Sequence, residues 1–301
     1  MHALQFTEYG GPEVLRWATA PEPHAGPGQV RIVVTGASIN PIDWKIAAGS
    51  MSGGRPLTEP GLLGRDAAGT VDEVGDDVTG VAVGDLVFGL GSGTQAELAV
   101  LNAWAQVPDG VSPIVAAAAG VAVTTSERGL RLLGVGPGGT LFVDGGAGGV
   151  GAVLVQLAVA RGLRVVASAG PDNQDYLHSL GATPVRYGTG LGERVRAAAD
   201  GGVDAVFDVV GKTDVGVLVG LVPEPHRVLS IANFAAAGSG IQVSGGAGEP
   251  QSPVAALVEG ARLLADGRLS INVEQFGPDG AADAYARSRG GHVRGKLVLA
   301  L

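Results

Sequence analysis

The sequence predicts an α/β protein of two parts, a β-rich part followed by a doubly wound parallel sheet. Three observations carry this. The chain has 301 residues, enough for two domains at about 150 residues each. Its first hundred residues hold short β-like runs parted by turn residues. From about Thr140 the rhythm becomes apolar strand, helix-length segment, glycine, strand, which is the pattern of βα units laid on a parallel sheet.

The early strands are read at Val30–Val34, Gly69–Val74 and Ala96–Val100, and a helix over Val121–Leu130. The βα series begins with a strand at Thr140–Val143, a helix from about Gly149 to Arg161 and a strand at Arg164–Ala167. A helix over Asp172–Leu180 follows, opened by Asp172 as its cap and ended by Gly181. Next come a short strand at Pro184–Tyr187, a helix at Leu191–Ala199, a strand at Val203–Val210, a helix at Thr213–Leu221 and a strand at Arg227–Ile231. After a helix from about Ser252 to Asp266, the tail offers a strand near Ile271, a helix near Pro278–Arg289 and a strand at Lys296–Leu301. That tail is free to return to the first part.

Bulk chemistry narrows the function. Twenty Lys and Arg stand against 29 Asp and Glu, a net charge of −9, so nucleic-acid binding is disfavoured. Hydrophobic residues at 46% and charged residues at 16% make a folding chain, despite 52 Gly and 17 Pro. No cysteine is present, which removes disulfides, thiolate nucleophiles and sulfur-ligated zinc, so redox chemistry must come from a bound cofactor. Glu8 interrupts the start early, and no secretory signal is read there. The charge-free stretch Val228–Gly248 is too rich in polar residues and glycines to span a bilayer. A cytoplasmic protein with a small-molecule substrate, and no membrane or nucleic-acid partner, is expected.

Directly after Leu141-Phe142-Val143 stands Asp144-Gly145-Gly146-Ala147-Gly148-Gly149-Val150-Gly151, leading into a helix. Gly145, Gly148 and Gly151 suit a tight turn, an open approach of pyrophosphate to backbone N–H groups, and close packing of helix on strand. The strand before and the helix after supply the context that a dinucleotide-binding loop needs; a structural glycine-rich turn is the alternative. Roughly 20 residues past the first glycine, where NAD-binding folds place an acid on the ribose hydroxyls, the second strand ends in Ser168. A small neutral residue leaves room for a 2′-phosphate and favours NADP(H) over NAD. Arg186 and Tyr187, at the end of the third strand, read either as neighbours of the phosphate and adenine or as a strand-edge pair.

Several blocks in order resemble the medium-chain dehydrogenase/reductase superfamily, in its zinc-free quinone oxidoreductase branch with the zeta-crystallin-like proteins. They are Tyr9-Gly10-Gly11-Pro12-Glu13-Val14-Leu15, Ile39-Asn40-Pro41-Ile42-Asp43-Trp44-Lys45, Leu63-Gly64-Arg65-Asp66-Ala67-Ala68-Gly69, Val83-Gly84-Asp85-Leu86-Val87-Phe88-Gly89 and Gly295-Lys296-Leu297-Val298-Leu299. The resemblance implies a GroES-like catalytic domain from residues 1–118 and 268–301, a Rossmann domain from 119–267, and a homodimer joined through Rossmann edge strands, for which Ile241-Gln242-Val243-Ser244 is nominated. It implies cofactor contacts from Thr125, from the loop residues Gly145, Gly146, Ala147, Gly148, Gly149, Val150 and Gly151, from Ser168 and Tyr187 at the adenosine ribose, and from Ile231 and Asn233 on the nicotinamide side. Many members carry a lysine near Asp172 or Asn173 for the 2′-phosphate; here Arg186 would substitute. Asn40, Asp43 and Lys45 are the catalytic candidates, against a turn at Asn40-Pro41, a helix N-terminal charge at Asp43 and an exposed helix lysine at Lys45.

Zinc-dependent relatives place Cys where this chain has Asp43 and His-Glu where it has Arg65-Asp66, and no metal site is assigned. His2, His24, His178, His226 and His292 are scattered without ligand spacing. Gly211-Lys212-Thr213 lacks the earlier glycine of a phosphate-binding loop, no tyrosine is followed four places on by lysine, and Leu90 breaks a nucleophile elbow at Ser92. The expectation is an NADPH-dependent, zinc-independent reductase of quinones or related conjugated carbonyls. The alternatives are an ene- or enoyl reductase of a biosynthetic pathway and a non-catalytic NADPH-binding protein.

Overall fold

Among the amino-terminal strands, Leu98–Gln106 and the first half of Val30–Ile39 alternate buried with less buried side chains, as the period of a pleated strand requires. In this computed structural model, which describes residues 1–245 and 252–301, the amino-terminal strands are β1 (His2–Phe6), β2 (Arg16–Thr19), β3 (Val30–Ile39), β4 (Gly61–Leu62), β5 (Asp66–Val74), β6 (Leu86–Gly91) and β7 (Leu98–Gln106). Helix α1 (Pro41–Ala47) follows β3, and α2 (Pro113–Ala117) follows β7. Val30, Ile32 and Val34 of β3 point inward onto Val71, Val87 and Leu101. Burying each such side chain stabilises the fold by about 1.5–3 kcal/mol. β3 pairs antiparallel with β5, and β7 returns to pair with β3, so β3, β5, β6 and β7 close on themselves.

The elements then change kind. Helix α3 (Gly120–Leu133) leads to β8 (Thr140–Asp144), α4 (Gly149–Ala160), β9 (Arg164–Ala169), α5 (Gln174–Ser179), β10 (Thr183–Arg186), α6 (Leu191–Ala198), β11 (Ala205–Asp208), α7 (Val215–Val219), β12 (Val228–Ser230) and β13 (Gln242–Val243). The strands form one parallel sheet in the order β10-β9-β8-β11-β12-β13. This is the doubly wound order, with its reversal between β8 and β11. Phe142, Val166, Val206 and Val228 lie in its core. The expected helix from Asp172 is two pieces, a short 3₁₀ turn at Pro171–Asn173 and then α5. Asp172 lies inside the first of these, whose cap is Gly170, and Asn173 caps α5, so Asp172 is no helix cap.

The tail comprises α8 (Val254–Ala265), β14 (Val273–Phe276), α9 (Ala281–Gly290) and β15 (Lys296–Ala300). β15 lies antiparallel to β3 and parallel to β14, inside the sheet of the amino-terminal strands. Two compact units result, Met1–Val121 with Ser252–Leu301, and Ala122–Gln251. The second crossing falls at Ser252 rather than 268 because α8 packs against β7. The strand expected near Ile271 starts at Val273, and the charge-free stretch ending at Gly248 runs beyond the described residues at its end. Among the described residues no helix is long and apolar enough to cross a membrane.

Candidate functional site

In the unit Ala122–Gln251 the glycine loop leaves the carboxyl end of β8, beside the reversal of strand order where ligands of open α/β sheets bind. Each glycine answers a distinct demand. Gly145 has φ +92°, and a Cβ there would lie 2.2 Å from Val210 Cγ2. A Cβ on Gly151 would meet the Gly145 carbonyl oxygen at 2.1 Å, so helix and turn touch through backbone. At Gly148 the nearest atom would be 3.7 Å away, so the approach is open. Gly148 is also the N-cap of α4 and has no side chain to cap it. The first N–H groups of α4 are thus left for an anion. A dinucleotide pyrophosphate fits this cradle.

Around the loop, two serine–aspartate pairs line the carboxyl edge of four adjacent strands. Asp144 of β8 accepts from Ser168 Oγ at 2.5 Å and Thr213 Oγ1 at 2.6 Å. Asp208 of β11, which is in register with Asp144, accepts from Ser230 Oγ at 2.7 Å and from the N–H groups of Val210 and Gly211. Burial raises the Asp144 carboxyl above its ordinary pKa, the two hydroxyls lower it, and Asp208 raises it further. Ser168 also accepts the Gly145 N–H at 2.9 Å and is 1% exposed. Its hydroxyl therefore fixes the first glycine to β9.

The other expected cofactor residues lie along the same edge. Ile231 follows β12 and donates its N–H to Asp208 O, while the Asn233 N–H donates to Ser230 Oγ. A Cβ on Gly211 would lie 2.9 Å from Asn233 N, so the loops after β11 and β12 touch. Thr125 is buried on α3. Arg186 and Tyr187 are exposed at the end of β10, and a Cβ on Gly170 would come within 3.4 Å of Tyr187 Oη, so the tyrosine lies over the end of β9.

In the other unit the catalytic candidates meet a buried polar cluster. Asn40 is the N-cap of α1 and Pro41 its first residue. Asp43, one turn in, accepts the Asn40 N–H at 2.7 Å, half of a capping box. Asn40 Nδ2 donates to Asp66 Oδ1 at 2.8 Å and to Ser38 Oγ at 3.1 Å, and its Oδ1 accepts from Lys296 Nζ at 2.5 Å. Ser38 Oγ and the Val121 N–H also bond to Asp66. Gln95 donates to Ser38 O at 3.0 Å and accepts from Tyr285 Oη at 2.7 Å. Asn40 is thus engaged inside the unit at both ends of its amide. Lys45 is half-buried, with Nζ 5.6 Å from the centre of the Trp44 ring.

Burial dominates the charges here. It pushes the Asp43 carboxyl up to about 7; the Asn40 N–H opposes this, Asp66 adds to it, and Lys296 and Arg65 oppose it. Asp43 Oδ1 has no hydrogen-bond partner among the described residues. The Lys296 ammonium is lowered by burial and raised by Asp66 and Asp43. Lys296, Asp66, Gln95 and Tyr285 escaped the sequence reading. One signal was available, a lysine opening the otherwise apolar strand Lys296–Ala300, every residue of which but the last is buried.

Comparison with known proteins agrees with this geometry. The family model described as "Alcohol dehydrogenase GroES-like domain" matches residues 26–109, and that described as "Zinc-binding dehydrogenase" matches residues 149–245. The chain is similar to the chloroplast envelope quinone oxidoreductase homolog of Arabidopsis thaliana, at 32% identity over 99% of this chain and 98% of that protein. It is similar to the structure of the quinone oxidoreductase from Coxiella burnetii, at 28% identity and TM-score 0.87, covering 100% of this chain and 99% of that one. A mycobacterial protein solved in complex with NADPH is 27% identical, with TM-score 0.84 and full coverage of both chains.

Proposed function

Since the chain belongs to the quinone oxidoreductase branch of the medium-chain dehydrogenase/reductase superfamily, we propose that it is an NADPH-dependent, zinc-independent oxidoreductase that delivers hydride to a quinone or related conjugated carbonyl. The observation that carries the reading is the open glycine cradle at the strand-order reversal, in a chain similar over its whole length to quinone oxidoreductases. When bound, the reduced nicotinamide supplies the hydride. The residues of the chain hold and orient. The α4 N-terminus takes the pyrophosphate, Arg186 and Tyr187 the adenosine end, and Thr125 with Ile231–Asn233 the nicotinamide end. Lys45 donates a hydrogen bond to the acceptor carbonyl, while Asn40 and Asp43 fix the helix that carries it. A reduced quinone oxygen can take its proton from water, so no dedicated acid is required.

Zinc fits poorly with these residues. Asp66 is bonded to Ser38, Asn40 and the Val121 N–H, Asp43 Oδ2 accepts from its own helix cap, and the Lys296 ammonium supplies the positive charge of the cluster. The proposal includes a homodimer through the outer edge of β13, the last strand of its sheet; sedimentation equilibrium should give twice the chain mass.

The test is consumption of NADPH with 1,4-benzoquinone, beside NADH, a no-acceptor control, an enone and an enoyl thioester. Oxidation that requires the quinone, prefers NADPH, persists in chelator and falls at least about tenfold in kcat/KM in Lys45→Met bears the reading out. Faster turnover of the enone or thioester moves it to ene reduction. Tight NADPH binding without oxidation by any acceptor makes the protein a binder.

A further inference from the structure

The turn after β10 is built around one guanidinium. Arg194, in α6, donates from Nε to the carbonyl of Arg186 at 2.9 Å, from Nη1 to that of Thr189 at 2.8 Å, and from Nη2 to those of Gly188 at 3.2 Å and Tyr187 at 3.3 Å. Four successive carbonyls turn toward one cation. Gln174 does the same for the strand ends beside it, donating from Nε2 to Gly170 O at 3.0 Å and Ala169 O at 3.1 Å, with a longer contact to Val185 O. The acceptor ends of residues 169–170 and 185–189 are therefore drawn onto two side chains. The Arg186 guanidinium itself, exposed at the head of this turn, bonds to none of the described residues.

This arrangement matters for an anion. Backbone carbonyl oxygens are the negative ends of peptide dipoles, and a phosphate ester carrying up to two charges is repelled by any that face it. A turn whose carbonyls are held by a cation presents less negative charge to such a group. The rigid fork of arginine spans several acceptors in a fixed plane, which a lysine ammonium cannot do. Gly188 at φ +92° and Gly190 at φ +76° stand in and just after the turn; the Gly188 carbonyl also accepts from the Leu191 N–H at 3.0 Å, and the fork draws it together with the carbonyls of Arg186, Tyr187 and Thr189.

We propose that Arg194 is a positioning residue for nucleotide choice: it holds the Arg186–Thr189 turn with its carbonyls averted, so that Arg186 and Tyr187 receive the 2′-phosphate of a phosphorylated dinucleotide in preference to the bare ribose of the unphosphorylated one. The inference rests on the cofactor reading above and deepens it.

The experiment measures dissociation constants by titration calorimetry for NADPH, NADH and adenosine 2′,5′-bisphosphate, with wild type, Arg194→Lys, Arg194→Ala and Arg186→Ala. Both Arg194 variants should weaken NADPH and the bisphosphate about tenfold or more and leave NADH within about twofold. Thermal midpoints near that of the wild type would establish that the fold is kept. If Arg194→Lys binds NADPH as tightly as wild type, charge alone suffices and the positioning role is overturned. Equal losses for NADPH and NADH overturn the role in nucleotide choice. If wild type binds NADPH no better than NADH, the cofactor reading fails and the inference with it, whereas a wild-type preference untouched by the variants sinks the inference alone.

Discussion

Asp43 shows how much one buried atom decides. Its carboxyl is held near 7 in the folded protein against 3.8 for the ordinary side chain. The folded state thus binds a proton that the unfolded chain releases between those values. Its contribution to stability is complete at acid pH, declines as pH climbs from about 4 to about 7, and is level above that, over a range of roughly 4 kcal/mol. Asp43→Asn keeps an acceptor for the Asn40 N–H and has no proton to lose. Urea unfolding of both proteins from pH 5 to pH 8 should show the variant gaining on the wild type as pH rises. Lys296→Met tests the partner charge. It leaves Asn40 Oδ1 and the Asp66 charge without their buried cation, and should cost about 3–5 kcal/mol, read as a fall in the thermal midpoint. The Asn40–Asp43 half of this cluster was legible in the sequence, because a cap and its third residue are three positions apart. The Lys296 half was not: its partner stands 256 positions away, and only the fold of β15 onto β3 brings the two together.

At the scale of elements, the parallel sheet was the most legible part. Strands covered on both faces read as continuous apolar runs, and Thr140–Asp144 is buried at every position. The shortest pieces left no periodic signal. β13 has two residues and no period to detect, so its segment, Ile241-Gln242-Val243-Ser244, was nominated through the family resemblance alone, and the break before α5, which was not foreseen, comes from Pro171 opening a 3₁₀ turn. The glycine loop was legible as a spacing, but what fixes it was not, since Ser168 and Asp144 act through hydroxyl and carboxylate bonds across neighbouring strands. Gly151→Ala tests the loop directly. With its Cβ 2.1 Å from the Gly145 carbonyl, helix and turn must separate. NADPH affinity should fall on the order of 10–100-fold while the far-UV circular dichroism stays that of the wild type. Unchanged affinity would show that the cradle tolerates the shift and does not hold the pyrophosphate.

For the whole molecule, length and the rhythm of the apolar runs foretold an α/β chain of two parts, and the division at Val121 reflects the passage from antiparallel to parallel pairing. The return at Ser252 was not visible, because the packing of α8 on β7 leaves no local mark. The interleaving also sets an order in time. One unit is continuous from Ala122 to Gln251, whereas the other needs β15 between β14 and β3. During synthesis at ~5–20 residues per second, the first 121 residues wait roughly 10–35 s for Lys296–Ala300 to leave the ribosome, exposing apolar strands such as β3 meanwhile. The middle of the chain should therefore mature before its beginning. Protease treatment of ribosome-stalled chains ending ahead of Lys296 should spare 122–245 and digest 1–121, reversing the usual amino-terminal-first sequence of folding.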